Sequence, residues 1–205
     1  MVLADAIFRQ FKRPEGLLGR LVGWIMATRP SNRARNAWTV DLLQIAASDR
    51  VLELGCGPGL GLAAAARKAT AGHVIGLDHS PTMLAQASAR LADAIAAGRV
   101  DLRLGGIEAL AREGGPFDRV FSVNVIQFLG DKRSALAALH AVTKPGGLLA
   151  TTYQPRGRNP TREAALRMAA ELRVAAEAVG FVDICVEELP LEPVPAVCVL
   201  ARRPL

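Results

Sequence analysis

The chain has 205 residues, a formal net charge of +6 and an apolar fraction of 51%. That length suits one domain with a real core, and that apolar share excludes a disordered chain. The basic residues are scattered rather than gathered in runs, so they read as a soluble, arginine-rich surface and argue against a nucleic-acid partner.

The first 48 residues read as helical and stand apart from the pattern that follows. Residues 17–27 are apolar but short and interrupted by Arg20, so they predict no transmembrane segment, and their polar face is too thin for a helix lying on a membrane. Ser31 is placed to cap a second helix running to about Ala46. From residue 49 onward, strand and helix alternate. Strands are predicted over 51–54, 73–77, 100–104, 118–123 and 148–153, and helices over 60–68, from a Ser80 cap with Pro81 in first position to Gly98, over 132–142 and over 161–179. The last two strands, 182–189 and 194–202, have only a proline-bounded turn between them, too short for a parallel crossover, so they pair antiparallel. The pattern predicts an α/β fold: a doubly wound, mostly parallel seven-stranded sheet, Rossmann-like, with a C-terminal antiparallel hairpin and added N-terminal helices.

The stretch VLELGCGPGLG at 51–61 carries the most chemistry. A buried strand stops at Gly55, Gly57 and Gly59, and a helix follows. Glycine lets backbone turn sharply and approach a ligand, and a helix N-terminus favours a nucleotide-like group. A nicotinamide fingerprint would need its third glycine where Leu60 stands. Glu53, in the strand, needs hydrogen-bond partners if buried, and the amides of the glycine loop are available. Asp78 ends the second strand, where a carboxylate can accept both hydroxyls of a ribose; the alternative is an acid at a helix N-terminus. Cys56, Cys185 and Cys198 show no metal-ligand spacing and read as reduced thiols of a cytoplasmic protein, with no metal expected.

Taken together, VLELGCGPGLG, VIGLDHSPTML, FDRVFSVNVIQFL, the KPGG turn at 144–147 and the closing hairpin resemble the class I S-adenosylmethionine-dependent methyltransferases. The resemblance covers residues from about 49 to the end. It is greatest to the small-molecule group, methyltransferase type 11-like, that includes the quinone-biosynthesis C-methyltransferases. It implies S-adenosylmethionine as cofactor, with Glu53, Gly55, Cys56, Gly57, Asp78, His79, Met83, Gly106, Ile107 and Asn124 around it, Glu53 facing its amino group and His79 and Met83 flanking the adenine. The family pattern commonly has an acid where Gly106 stands, so the resemblance leaves the adenine to backbone groups and to Ile107.

The resemblance also places the reacting methyl near Asn124, Gln127 and Phe128, with Tyr153 at the same sheet edge. Tyr153 and Asn124 are the candidate catalytic residues. Tyr153 is a residue to orient an acceptor or take its proton, or else simply a tyrosine closing the sheet. Trp24 and Trp38 lie before the sheet begins, either as a substrate-binding lid formed by residues 1–48 over the domain 49–205 or as packing between helices and core. The expected activity is methyl transfer to a small-molecule acceptor by in-line displacement. The alternatives are an RNA methyltransferase and a non-catalytic cofactor-binding protein.

Overall fold

The computed structural model describes residues 21, 23, 28–112, 114–157 and 159–205. Within them, apolar side chains alternate along the strands between two helix-covered faces, and this alternation sets the architecture. The strands are β1 (Arg50–Leu54), β2 (His73–Asp78), β3 (Val100–Leu104), β4 (Phe117–Val123), β5 (Thr143–Tyr153), β6 (Val182–Leu189) and β7 (Ala196–Arg202). Their order across the sheet is β3-β2-β1-β4-β5-β7-β6. β1 to β5 run parallel, and β7 is antiparallel to both β5 and β6.

The helices are α1 (Pro30–Leu42), α2 (Leu60–Lys68), α3 (Pro81–Arg90), α4 (Ala92–Ala96), α5 (Lys132–Val142) and α6 (Arg162–Ala178). On one face of the sheet, Leu52, Leu77, Val120 and Leu149 pack against Leu136 and Leu139 of α5 and Ala169 and Leu172 of α6. On the other, Val51, Val74, Phe121 and Ala150 pack against Val40 of α1 and Leu62 and Ala65 of α2. From β1 the chain steps outward to β2 and β3, then returns to β4 on the other side of β1. Such a reversal opens a crevice beyond the C-terminal ends of β1 and β4, where doubly wound sheets bind ligands.

Several boundaries differ from expectation for local reasons. Ser31 is not the cap of α1: Arg29 holds that position with no side-chain bond, Pro30 starts the helix, and the helix ends at Leu42. The helix capped by Ser80 breaks at Leu91, giving α3 and α4, and Leu91 itself is buried in the second core. β5 begins at Thr143, so KPGG lies within the strand. There Gly146 N donates to Arg203 O at 2.9 Å and Arg203 N to Gly147 O at 3.0 Å, which pairs the segment with the chain following β7. β7 starts at Ala196 because Pro195 has no N–H to give the ladder. Cys185 pairs with Leu200 and Cys198 with Glu187, so the two thiols are not opposite each other; all three cysteines are free.

Candidate active site

The turn after β1 is laced to the end of β2. Gly55 N and Cys56 N both donate to Leu77 O, at 2.7 and 3.1 Å, and Gly57 N donates to Asp78 Oδ2 at 2.8 Å. Gly55 has φ +69° and Gly57 φ +51°, backbone that other residues adopt only with strain. A Cβ on Gly55 would overlap Val125, which lies over the turn from the end of β4. Asp78 is 5% exposed, and its Oδ1 accepts from Ser80 N at 2.9 Å. One carboxylate therefore holds the glycine turn and the start of α3 together. Each oxygen keeps a further lone pair, so this bracing leaves capacity for two hydroxyls.

Glu53 is 1% exposed and lies beneath α2. Gly61 makes room for it, since a Cβ there would lie 2.8 Å from the Glu53 Cδ. Burial pushes its carboxyl well above the usual range, against the Leu62 N–H it accepts, and the Asp78 charge pushes the same way. Its Oε2 is buried without a hydrogen-bond partner among the described residues. An orphaned carboxylate oxygen beside a glycine turn fits a cationic amino group, which is what the cofactor's methionine end offers.

Cys56 contributes differently from expectation. Its side chain is 3% exposed in the second core beside Gly76, and burial raises its thiol well above its ordinary value, so only its backbone belongs to the turn. Met83 is 2% exposed in the first turns of α3, and a Cβ on Gly23 would come within 2.5 Å of its Cε. Gly23 thus lies against α3, the helix that follows Asp78. His79 is half-exposed, with Nδ1 3.9 Å from Asp78 Oδ1. At the end of β3, Gly105 N donates to Asp78 O at 3.0 Å. Gly106 N donates to Glu108 Oε1 at 3.0 Å, and Ile107 packs against the first core. Glu108 thus folds back over the Gly106 amide at the end of β3.

At the other end of the crevice Asn124 has φ +56° and braces β4 to β5. Its Oδ1 accepts from Gln154 N at 2.8 Å and its Nδ2 donates to Gln154 O at 3.3 Å. Gln127 Nε2 donates to Asn124 O at 2.8 Å, and Gln127 Oε1 is buried without a partner among the described residues. Phe128 lies in the short 3₁₀ turn Ile126–Phe128. Tyr153 is half-buried against the first core, and burial raises its phenol above its ordinary value. By strand alternation Glu53, Asp78 and Gln154 lie on the opposite face from Tyr153. Trp38 packs partly buried against the second core; Trp24 lies outside the described residues. Sequence reasoning missed Arg35, buried in α1, whose Nη1 reaches Gln154 Oε1.

A doubly wound sheet, a glycine turn at its switch point and two acids at adjacent strand ends define a binder of an adenosine-containing cofactor. The chain belongs to the class I S-adenosylmethionine-dependent methyltransferases, enzymes that take S-adenosylmethionine as cofactor. A family model described as a methyltransferase domain matches residues 51–147. The uncharacterized methyltransferase YdaC of Bacillus subtilis is 30% identical over 184 residues, 90% of this chain and 98% of that protein. A trans-aconitate 2-methyltransferase of Variovorax paradoxus is 31% identical over 134 residues, 65% of this chain and 49% of that protein. The chain therefore spans nearly all of the first relative and about half of the second. Among solved structures, phosphoethanolamine N-methyltransferase 2 of Haemonchus contortus shares the fold with a TM-score of 0.66 at 20% identity, over 84% of this chain and 53% of that one. Among the described residues no helix is long and apolar enough to cross a membrane, and no three His, Cys, Asp or Glu side chains are grouped to hold a metal.

Proposed function

We propose that this chain transfers the methyl group of S-adenosylmethionine to a small organic acceptor, with Glu53, the 55–57 turn and Asp78 holding the cofactor and the ends of β4 and β5 holding the acceptor. The observation that carries this reading is the buried, unpartnered Glu53 Oε2 beside a glycine turn braced by Asp78. Relatives named for trans-aconitate and demethylmenaquinone support an acceptor of that size. Three free thiols fit a reducing compartment, and the cytoplasm is the proposed location.

When bound, the cofactor supplies a methyl group already activated on a sulfonium. The work left to the chain is binding and alignment. Glu53 offers its free oxygen to an ammonium, and Asp78 offers two lone pairs to ribose hydroxyls. Met83 is buried with Gly23 against it, and the segment ahead of Pro30 is proposed as a cover for the crevice. Asn124 fixes the ends of β4 and β5 relative to each other, which sets where an acceptor atom sits. Alignment of this kind lowers a barrier by roughly 7–11 kcal/mol, so no strong base is required.

The test is calorimetry with S-adenosylhomocysteine in the presence of EDTA. The wild type should bind. Asp78→Ala should bind more weakly by about 1.5–3 kcal/mol, the scale of hydrogen bonds to a charged group, and should also lose stability because Gly57 N and Ser80 N lose their acceptor. No binding by the wild type, or unchanged affinity in a folded Asp78→Ala, would sink the assignment.

A further inference from the structure

Two guanidinium groups meet at the C-terminal end of β5, on the face covered by α1. Arg35 is 4% exposed. Its Nη2 donates to Asn32 Oδ1 at 2.7 Å, its Nη1 donates to Gln154 Oε1, and its buried Nε has no partner among the described residues. Arg156 converges on the same two oxygens. Its Nη2 lies 3.0 Å from Asn32 Oδ1 and 2.9 Å from Gln154 Oε1, and 3.3 Å from Ser31 Oγ. Both shared acceptors are neutral amides. Among the described residues no carboxylate pairs with either arginine.

Among the described residues, the other charge that bears on the pair is also positive. The charge of Arg29 bears on Arg156, and α1 begins there with no side-chain cap, so the positive end of its dipole adds to the field. Burial and the Arg156 charge bring Arg35 down to about 9. A buried cation without an anion is costly, and a purely structural arginine is expected to find a carboxylate. Here Gln154 Nε2 instead donates to Val194 O at 2.7 Å, which fixes the amide so that its oxygen faces both arginines. The cluster is built, and among the described residues it has no negative charge to match it.

Its position gives that deficit a meaning. Gln154 follows Tyr153 directly and is held by Asn124, the residue just after β4 and before Val125, which lies over the glycine turn. Two strand spacings, roughly 10 Å, separate β5 from the strand of Glu53. That is the reach of a small molecule with a nucleophilic atom at one end and a charged group at the other.

We propose that Arg35 and Arg156 bind an oxyanion, a carboxylate or a phosphate monoester, carried by the methyl acceptor. Guanidinium forks suit either group because both present paired oxygens at matching spacing. The inference rests on the methyltransferase reading of the crevice and narrows its acceptor to anionic small molecules.

The test uses the full chain saturated with S-adenosylhomocysteine, whose binding is measured first. Sodium succinate and inorganic phosphate are then titrated separately at constant ionic strength against a chloride control. At least one should bind saturably, and which one does distinguishes a carboxylate from a phosphate. Arg156→Gln, at the exposed rim, should weaken that binding about tenfold or more while S-adenosylhomocysteine affinity stays within about twofold of wild type. Arg35→Gln, checked for folding by circular dichroism, should do the same. Absence of saturable binding by both anions, or wild-type anion affinity in Arg156→Gln, overturns the proposal. Failure of the wild type to bind S-adenosylhomocysteine strikes the methyltransferase reading itself.

Discussion

Glu53 is held in an environment that favours its neutral form. Burial raises its carboxyl well above the ordinary value of 4.5, and the nearby Asp78 charge adds to this. A carboxyl with a raised folded pKa binds its proton more tightly when folded. The stability it lends the cofactor-free protein is therefore complete below about pH 4.5 and is lost as pH rises through the raised value. An ammonium delivered to Oε2 reverses the preference and ionises the group. Binding of S-adenosylhomocysteine at about pH 6 should then release a proton, seen as a calorimetric enthalpy that changes with the buffer's ionisation enthalpy. Glu53→Gln should bind more weakly and show no such dependence; proton-neutral binding by the wild type would remove Glu53 from the amino-group contact. Burial raises the Tyr153 phenol as well. A raised phenol is protonated at neutral pH, which suits it to donate a hydrogen bond to an acceptor. Tyr153→Phe should lower kcat/KM by no more than about tenfold, the scale of one neutral hydrogen bond, with the pH profile unchanged. Loss of the limb on which kcat/KM rises with pH would make Tyr153 the base.

Among the elements, the glycine turn is the one with least tolerance. Gly57 combines φ +51° with an N–H committed to Asp78. Gly57→Ala should cost about 1–2 kcal/mol of stability from the left-handed backbone alone, and more in cofactor affinity, since the turn must shift where it faces the ligand. Urea denaturation and calorimetry on one preparation separate the two effects; equal losses in both would mean that the turn is only structural. α1 shows how an element outside the alternating pattern is absorbed. Val40 and Leu43 are fully buried in the second core, and Thr39 Oγ1 shares a 2.7 Å hydrogen bond with Thr152 Oγ1. Trp38 packs on that same core, which makes α1 part of the sheet's covering layer while its first turn carries the arginine cluster.

Across the whole molecule, the reversal between β1 and β4 gathers distant residues at one edge, and Gly23 lies against Met83 and Gln86 of α3. Because α1 is already packed, its amides should exchange slowly with or without ligand. Adding S-adenosylhomocysteine should slow exchange at 55–59, at 78–86 and in peptides carrying Leu21 and Gly23, with little change over 32–42. Protection confined to the first two regions would mean that the leading segment is not a cover.

The strand-and-helix alternation, the glycine turn, the acids at 53 and 78 and the antiparallel hairpin were legible in the chain because each depends on neighbours within a few residues. Hydrophobic period, turn chemistry and capping are local quantities. Leu60–Lys68 and Lys132–Val142 fall where the pattern puts them for that reason. What depended on residues far apart in sequence was decided only by the fold. Glu108 closes on the Gly106 amide because a 3₁₀ turn folds it back. The Cys56 side chain leaves the turn for the core because it faces Gly76 across the strands. Arg35 and Arg156 become a pair only because α1 crosses β5, which brings Gln154 and Asn32 between them; nothing local to either arginine marks it, since the charge of a site is a sum over elements that only tertiary packing assembles.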